Sequence, residues 1–533
     1  MINKGAYAHI RKRNTMKAIN IKIERLTDPI GIDIQHPRIS WVCDGGRVQT
    51  AYRIVALSDD ITVWDTGRVE SSRMNAVYDP DLHSRERVEL RITLWDEDGT
   101  EGEESNACFE MGLLSSGDFK ASWICGNYKV NKRKRYPADC FKRSFDTSQV
   151  MKARLYATAC GIYEARINGT RVGDYVLAPG VTNYKKRIQY QTYDVTELVR
   201  DGQNTLEATL ADGWYRGSCG AWGLRNRYGT VTKLWMQLEL TMANGDVQYV
   251  LTDGEWLWSN DGAVRFADNK DGEIYDARLK PSYNCKAKLA KCSVTPSASN
   301  NVKLSEHERL NGKMVITPSG KRVIDFGHNI AGYVEMSFFA HEGETLHLRF
   351  GELLDRDGEF TQSNIQLKRE KTGFITPRQE IIYTAREGKN DYKCAFAIFG
   401  FRYALVEGSV ALSAENVRAI AVYSDMQNTL EFDSSHPLIN KFVENTRWSA
   451  KNNHADLPTD CRRERGTAGR VMHSYSPLPR AISSTTLHLP ASTCACYPTS
   501  RSPRARYRRS CRTEELIFIC HRWTAVPVGL MPR

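Results

Sequence analysis

Four groups of residues in this 533-residue chain could do chemistry by type alone. Cys494, Cys496, Cys511 and Cys520-His521 offer the thiol and imidazole ligands of a zinc site, but their spacing fits no standard zinc pattern. Asp355-Arg356-Asp357-Gly358-Glu359 sets three carboxylates around a glycine, a fragment of a calcium loop. Without the remaining ligands it reads as a β-turn, and no metal is expected. The third group is 13 arginines after Cys461, which could contact phosphates. No groove-reading motif accompanies them, so no nucleic-acid partner is expected. Trp214-Tyr215 and Trp222 could stack on a ligand if exposed; filling the core is the ordinary fate of such residues. Gly-rich phosphate loops are absent, which implies no nucleotide cofactor.

The charge that suggests phosphate binding is confined to one stretch. The 72 residues after Cys461 contain 13 Arg, no Lys, 3 Glu and neither Asp nor Asn. They carry +10 of the formal +11, leaving 61 Lys+Arg against 60 Asp+Glu in the other 461 residues. Joint loss of Lys, Asp and Asn, with Ser, Pro, Cys and Arg crowding in, is what out-of-frame reading of GC-rich DNA produces. The near-neutral body offers no electrostatic case for nucleic acid or an anionic membrane. No apolar run reaches the roughly 18 residues of a membrane span. Residues 1–17 read as an extension: Lys4, Arg11, Lys12 and Arg13 precede no apolar stretch, so no secretory signal is expected, and Met16 is an alternative start. The 14 cysteines show no CxxC and are expected to be reduced thiols in the cytoplasm.

The elements that would position any site are mostly strands. Residues 18–115 read as an immunoglobulin- or fibronectin-like sandwich. Within it Val88-Glu89-Leu90-Arg91-Ile92-Thr93-Leu94-Trp95 alternates cleanly and Asp98-Gly99 follows as a turn. Residues 120–320 form a second β-sandwich, in which Ile162–Ile167 runs into the hairpin signal Asn168-Gly169. Its Trp, Tyr and Gly content is common in carbohydrate-handling sandwiches. Residues 321–430 form a third β unit. The period then changes: Ser434-Ser435-His436-Pro437 supplies a helix start, and Leu438, Ile439, Phe442, Val443 and Thr446 recur at helical spacing. Such a face needs helical partners, and none of convincing period follows.

Several segments, in order, resemble the bacterial α-L-rhamnosidases of glycoside hydrolase family 78. They are Asp28–Asp33 with Pro37–Trp41, Tyr163–Gly169, Leu210–Gly217, Gly272–Arg278, Asp325–Tyr333 (Gln being commoner in the family than His328), Phe399–Tyr403 and Asp456–Cys461. The resemblance implies a mainly β array of sandwiches, the third concanavalin-like, followed over 431–461 by the first helix of an (α/α)6 barrel. It also implies rhamnose-containing glycosides as substrates and inverting hydrolysis of terminal α-L-rhamnose. Inversion needs a carboxylic acid and a carboxylate base roughly 6.5–9.5 Å apart. In the family both belong to the barrel, the acid just after the Asp-Cys dipeptide and the base far downstream.

Immediately after Cys461 this chain departs from the family pattern Asp-Cys-Pro-x-Arg-Glu-Arg-x-Gly-Trp-x-Gly-Asp-Ala-Gln. Back-translating Arg462–Ser474 with degenerate codons, and reading from the last base of each preceding codon, permits Pro-Thr-Arg-Glu-Arg-His-Gly-Trp-Ala-Gly-Asp-Ala-Gln without a gap. Loss of one base near the Cys461 codon accounts for that match and for the altered composition. On this reading 462–533 is an out-of-frame, disordered tail, the barrel is incomplete and the chain is an inactive, truncated relative. Glu464 sits one position early relative to Asp460 and lacks the neighbouring Trp and Asp, so no catalytic residue is assigned. Asp460 is in register with a family sugar-site Asp and is the single substrate-binding candidate. The alternative is a carbohydrate-binding β-sandwich protein without catalysis, which requires exposed aromatics near Trp214-Tyr215 or Trp222.

Overall fold

The computed structural model describes residues 15–459, apart from 220–222, 301, 370–373 and 429. Asp460, Cys461, Glu464, the Cys/His group, the arginine-rich stretch and Trp222 all lie outside the described residues.

In the first β unit a three-stranded sheet (Lys17–Ile23, Arg38–Asp44, Asn75–Val77) faces a larger one. The larger sheet runs Ile30–Ile32, Ser105–Met111, Arg87–Trp95, Ala51–Ser58, Ile61–Asp65, with Val69–Glu70 also pairing to Ala51–Ser58. The alternation expected for Val88–Trp95 puts Val88, Leu90, Ile92 and Leu94 at zero exposure while Glu89 and Arg91 face out. These residues, with Ile39, Trp41, Ile54 and Phe109, make a core separate from the rest of the molecule.

The second unit pairs two sheets. One is ordered Lys288–Ala290, Trp123–Cys125, Lys233–Met242, Val150–Cys160, Gln189–Asp194, Ser297–Ala298, with Val247–Leu251 attached to Lys233–Met242. The other is ordered Thr170–Arg171, Ile162–Ile167, Gly202–Ala211, Asp139–Thr147, Leu257–Ser259, Cys285–Lys286. Asn168 and Gly169 both take positive φ, 51° and 81°, so the expected hairpin turn forms at those residues.

A ten-stranded sheet dominates the third unit. Its spine is the 19-residue strand Arg322–Ala340, which shifts register between Asp325 and Ile330 and so serves several partners. Three stretches from within 120–320 join this sheet: Val264–Asp268 with Gly272–Asp276 at one edge, Leu304–Asn311 at the other, and Lys313–Ile316 paired to the spine. Their pairing merges the cores of the second and third units into one continuous apolar cluster. Helix α1 (Gly213–Arg216) is a single turn in the second unit, and helix α2 (Pro437–Asn452) follows the third. No helix among the described residues is long and apolar enough to cross a membrane.

Helix α2 begins as its sequence implies, with His436 at the N-cap and Pro437 in the first turn. It rests on the third unit by its C-terminal half. The Trp448 ring lies 4.2 Å from that of His328, and Lys451 pairs with Glu308 at 2.7 Å. The N-terminal apolar face stays open: Leu438 and Phe442 are 74% and 70% exposed.

Gly332 marks a close strand approach on the spine. A Cβ there would sit 1.8 Å from the Ile420 carbonyl oxygen, a backbone atom with no room to yield. Gly332→Ala is therefore expected to destabilise the chain by about 1–3 kcal/mol, read as a lower denaturant midpoint. An unchanged midpoint would show that the sheet relaxes freely at this point.

Candidate functional site

The residues leading to Asp460-Cys461 are held in a built seat between the second and third units. Asn452, at the end of α2, is 2% exposed. Its Oδ1 accepts the Ala331 N–H at 2.7 Å and its Nδ2 donates to the Asn329 carbonyl at 3.0 Å. That pair of bonds fixes the helix end against the spine strand at the register shift. His454, also buried, donates from Nδ1 to the Ala450 carbonyl at 2.7 Å and closes the last turn. His454–Ala455 then pairs with Leu457–Pro458 in a minimal hairpin whose tip is Asp456, at φ 68°. Thr459 N–H returns to the Asn453 carbonyl at 2.9 Å.

Asp456 locks the hairpin to both units. Its N–H donates to Ser424 Oγ at 2.9 Å, at the end of strand Val417–Ser424. Its carboxylate accepts the Val181 N–H in the second unit. The approach is possible because residue 180 is glycine: a Cβ there would stand 2.5 Å from Asp456 Oδ2. Gly180 holds φ 92°, a conformation that also favours glycine. The Tyr184 hydroxyl donates to the Gly180 carbonyl at 2.7 Å. Tyr184 packs edge-on against Tyr215, with ring centroids 5.4 Å apart. Val176 N–H donates to the Leu304 carbonyl at 2.8 Å, so the loop carrying Gly180 is itself tied to the third sheet.

Burial pushes the Asp456 carboxyl up from 3.8 to about 6, against the opposing Val181 hydrogen bond. Tyr175 lies beside it, and its hydroxyl is pushed up by burial first and by Asp456 second.

Other carboxylates in or beside the motif segments form fixed structural pairs. Asp212 Oδ1 holds Arg216 at 2.6 Å, with both side chains almost wholly buried. Asp271 receives Arg135 at 2.6 Å, Thr376 Oγ1 at 3.1 Å and the Arg378 N–H at 3.2 Å, which ties the second unit to the third. Glu273 accepts the Tyr392 hydroxyl at 2.7 Å and the N–H groups of Ala395 and Phe396 at 2.9 and 2.5 Å. Arg402 forks onto both oxygens of Asp325 at 2.8 Å, joining the Asp325–Tyr333 and Phe399–Tyr403 segments. Sequence reading names these segments but not these carboxylate partners; the one local signal was Asp212–Arg216, four apart across a helical turn.

Trp214 and Tyr215 are 2% and 7% exposed and so fill the core instead of offering a platform. The Asp355–Glu359 stretch is a turn, in which Asp355 Oδ1 accepts the Asp357 and Glu359 N–H groups at 3.0 and 2.8 Å. Among the described residues no group of three His, Cys, Asp or Glu side chains could hold a metal ion.

The Asp456 value sets the sign of a pH effect. Its folded value lies above the ordinary one, so the seated hairpin keeps a proton that the released hairpin loses between about pH 4 and 6. Seating is strongest below pH 3.8 and weakens as pH rises to about 6, by on the order of 3 kcal/mol in all. Asp456→Asn is expected to flatten this contribution. Denaturant midpoints at pH 4.5 and 7 for both chains check it; equal pH slopes would remove Asp456 from the account.

Three family models match. They are the Rha78A-like N-terminal immunoglobulin domain over residues 18–115, the α-L-rhamnosidase N-terminal domain over 148–315, and the bacterial α-L-rhamnosidase concanavalin-like domain over 316–423. An α-L-rhamnosidase of Formosa agariphila is 32% identical over 479 residues, covering 82% of this chain and 50% of the relative. One from Alteromonas is 30% identical, covering 84% of this chain and 51% of the relative. The chain thus spans about half the length of the curated relatives it matches. The solved α-L-rhamnosidase of Aspergillus terreus superposes with a TM-score of 0.78 at 31% identity, over 84% of this chain and 54% of that one. The Streptomyces avermitilis α-L-rhamnosidase, solved with L-rhamnose, gives 0.84 over 92% of this chain and 65% of that one; at 23% identity it bears on the fold alone. Through its three described β-domains, arranged in this order and closed by the seated hairpin, the chain belongs to the bacterial α-L-rhamnosidase family.

Proposed function

We propose that residues 18–459 are the scaffold of an α-L-rhamnosidase, which releases terminal α-L-rhamnose from glycosides with inversion, and that the chain as written lacks this turnover. The observation that carries the reading is the seat of the Asp456 hairpin. Two units and the spine strand converge to fix the backbone that leads into Asp460-Cys461. A structure that spends so many fixed contacts on one short hairpin is a support for what comes next. The residues that come next, Arg462 onward, depart from the family's acid motif and are proposed to be read out of frame. Inverting chemistry needs an acid and a base placed to admit a water between them. The buried carboxylates Asp212, Asp271 and Glu273 are instead saturated by fixed partners, which supports a structural role for them.

The second reading, a carbohydrate-binding protein without catalysis, has one observation in its favour. An open polar groove of about 710 Å³ on the third unit is lined by Glu335, Ser337, Asp391, Lys393, Asn416 and Arg418. Burial of Trp214 and Tyr215 weighs against it. Calorimetry of the full chain with a rhamnoside separates the two, since an absence of heat counts against binding.

Incubated with an aryl α-L-rhamnoside, the purified chain is expected to release no rhamnose above the uncatalysed rate. Measurable turnover that is abolished by Glu464→Gln would overturn the proposed inactivity and make Glu464 the acid.

A further inference from the structure

In the second unit the strands Lys288–Ala290 and Ser297–Ala298 lie at opposite edges of one sheet. Residues 291–296 therefore form a strap that crosses the ends of the four strands between them. Two contacts pin the strap. Lys233 Nζ donates to the Lys291 carbonyl at 2.8 Å. The next residue, Cys292, brings its thiol into hydrogen-bonding contact with that of Cys160. Cys160 ends the strand Val150–Cys160 and is paired directly with Lys233 across the sheet. One thiol of the pair is accessible and the other is not: Cys292 is partly exposed, whereas Cys160 is 1% exposed.

We propose that Cys160 and Cys292 form a reversible disulfide that staples the strap across the sheet. Chemically, the pair divides into an attacking and a resolving thiol. The hydrogen bond from Cys160 lowers the Cys292 thiol to about 6, with burial opposing, and Lys233 adds a favourable charge. Donating that bond, with burial, pushes Cys160 up. Cys292, the partly exposed thiol of the pair, is the one a dissolved disulfide can reach, and it reacts as its thiolate. Its sulfur attacks a low-molecular-weight disulfide such as oxidised glutathione, expelling one thiolate and leaving a mixed disulfide. Cys160 then gives up its proton and attacks Cys292 Sγ, expelling the second thiolate. Two protein thiols are oxidised by two electrons, and the small disulfide is reduced to two thiols.

The staple would act near the hairpin seat. Tyr215 contacts Cys160 and packs against Tyr184, whose hydroxyl holds the Gly180 carbonyl beside Asp456. Oxidation would tie the strap to the same aromatic layer that backs the seat.

Peptide mapping tests the proposal on the full chain. The reduced protein is exposed to oxidised glutathione, alkylated and digested with trypsin without reductant. The peptides 155–166 and 292–303, which hold Cys160 and Cys292 as their only cysteines, are expected to appear joined in most molecules and to separate on reduction. In Cys160→Ser the resolving thiol is gone, so Cys292 is expected to accumulate as its glutathione adduct. Cys292→Ser, at the more exposed position, is expected to leave Cys160 unmodified and guards against misfolding of the buried variant. Recovery of the two peptides unlinked, Cys292 left as a glutathione adduct in the unaltered chain, or Cys292 joined to a different cysteine would each overturn the proposal.

Discussion

The hydrogen bond from the Val181 N–H to the Asp456 carboxylate is the contact on which the functional half of the structure turns. It is long in sequence and short in space. It requires a bare glycine at 180, a left-handed residue at 456 and a loop tied to the third sheet through Leu304. The carboxylate is buried and no cation pairs with it among the described residues, so its favourable bond works against a desolvation cost. Such an arrangement persists only where the surrounding structure over-determines it. Asn452 on one side and Ser424 on the other supply that determination.

The same logic governs the joint between the second and third units. Asp271, in the turn before strand Gly272–Asp276, and Glu273, on that strand of the third sheet, take partners from the second unit and from residues around 376 and 395. Removing a partner from such a group leaves a buried charge uncompensated, which costs far more than the bond itself contributes. The shared core and these anchored carboxylates make one platform of two sandwiches, and α2 with its hairpin is mounted on that platform.

Much of this platform was legible in the sequence because strands report themselves locally. Val88–Trp95 alternates and Asn168-Gly169 turns, and both do so in the structure for the reasons their composition implies. Helix α2 was legible from Pro437 and the apolar spacing after it, including the fact that its face lacks a cover among the described residues. What could not be read were pairings at long separation. Nothing local in Val181 or Asp456 announces that residues 275 apart will touch. Nor does any local pattern send Val264–Asp276 and Leu304–Asn311 into the third sheet. Trp214 and Tyr215 illustrate the converse. Their types suit a sugar platform, but a helical turn folded into the core decides their burial.

The proposed inactivity rests on a proposed change of reading frame just after Cys461. The seat holds the residues up to Thr459, and the composition alters after Cys461. Sequencing the coding DNA across the Cys461 codon tests this most directly. The account predicts that the frame one base back stays open through the region encoding residues 462–533 and spells Pro-Thr-Arg-Glu-Arg-His-Gly-Trp-Ala-Gly-Asp-Ala-Gln after the Asp-Cys codons. Stop codons in that shifted frame, or codons that spell an unrelated peptide, would contradict it.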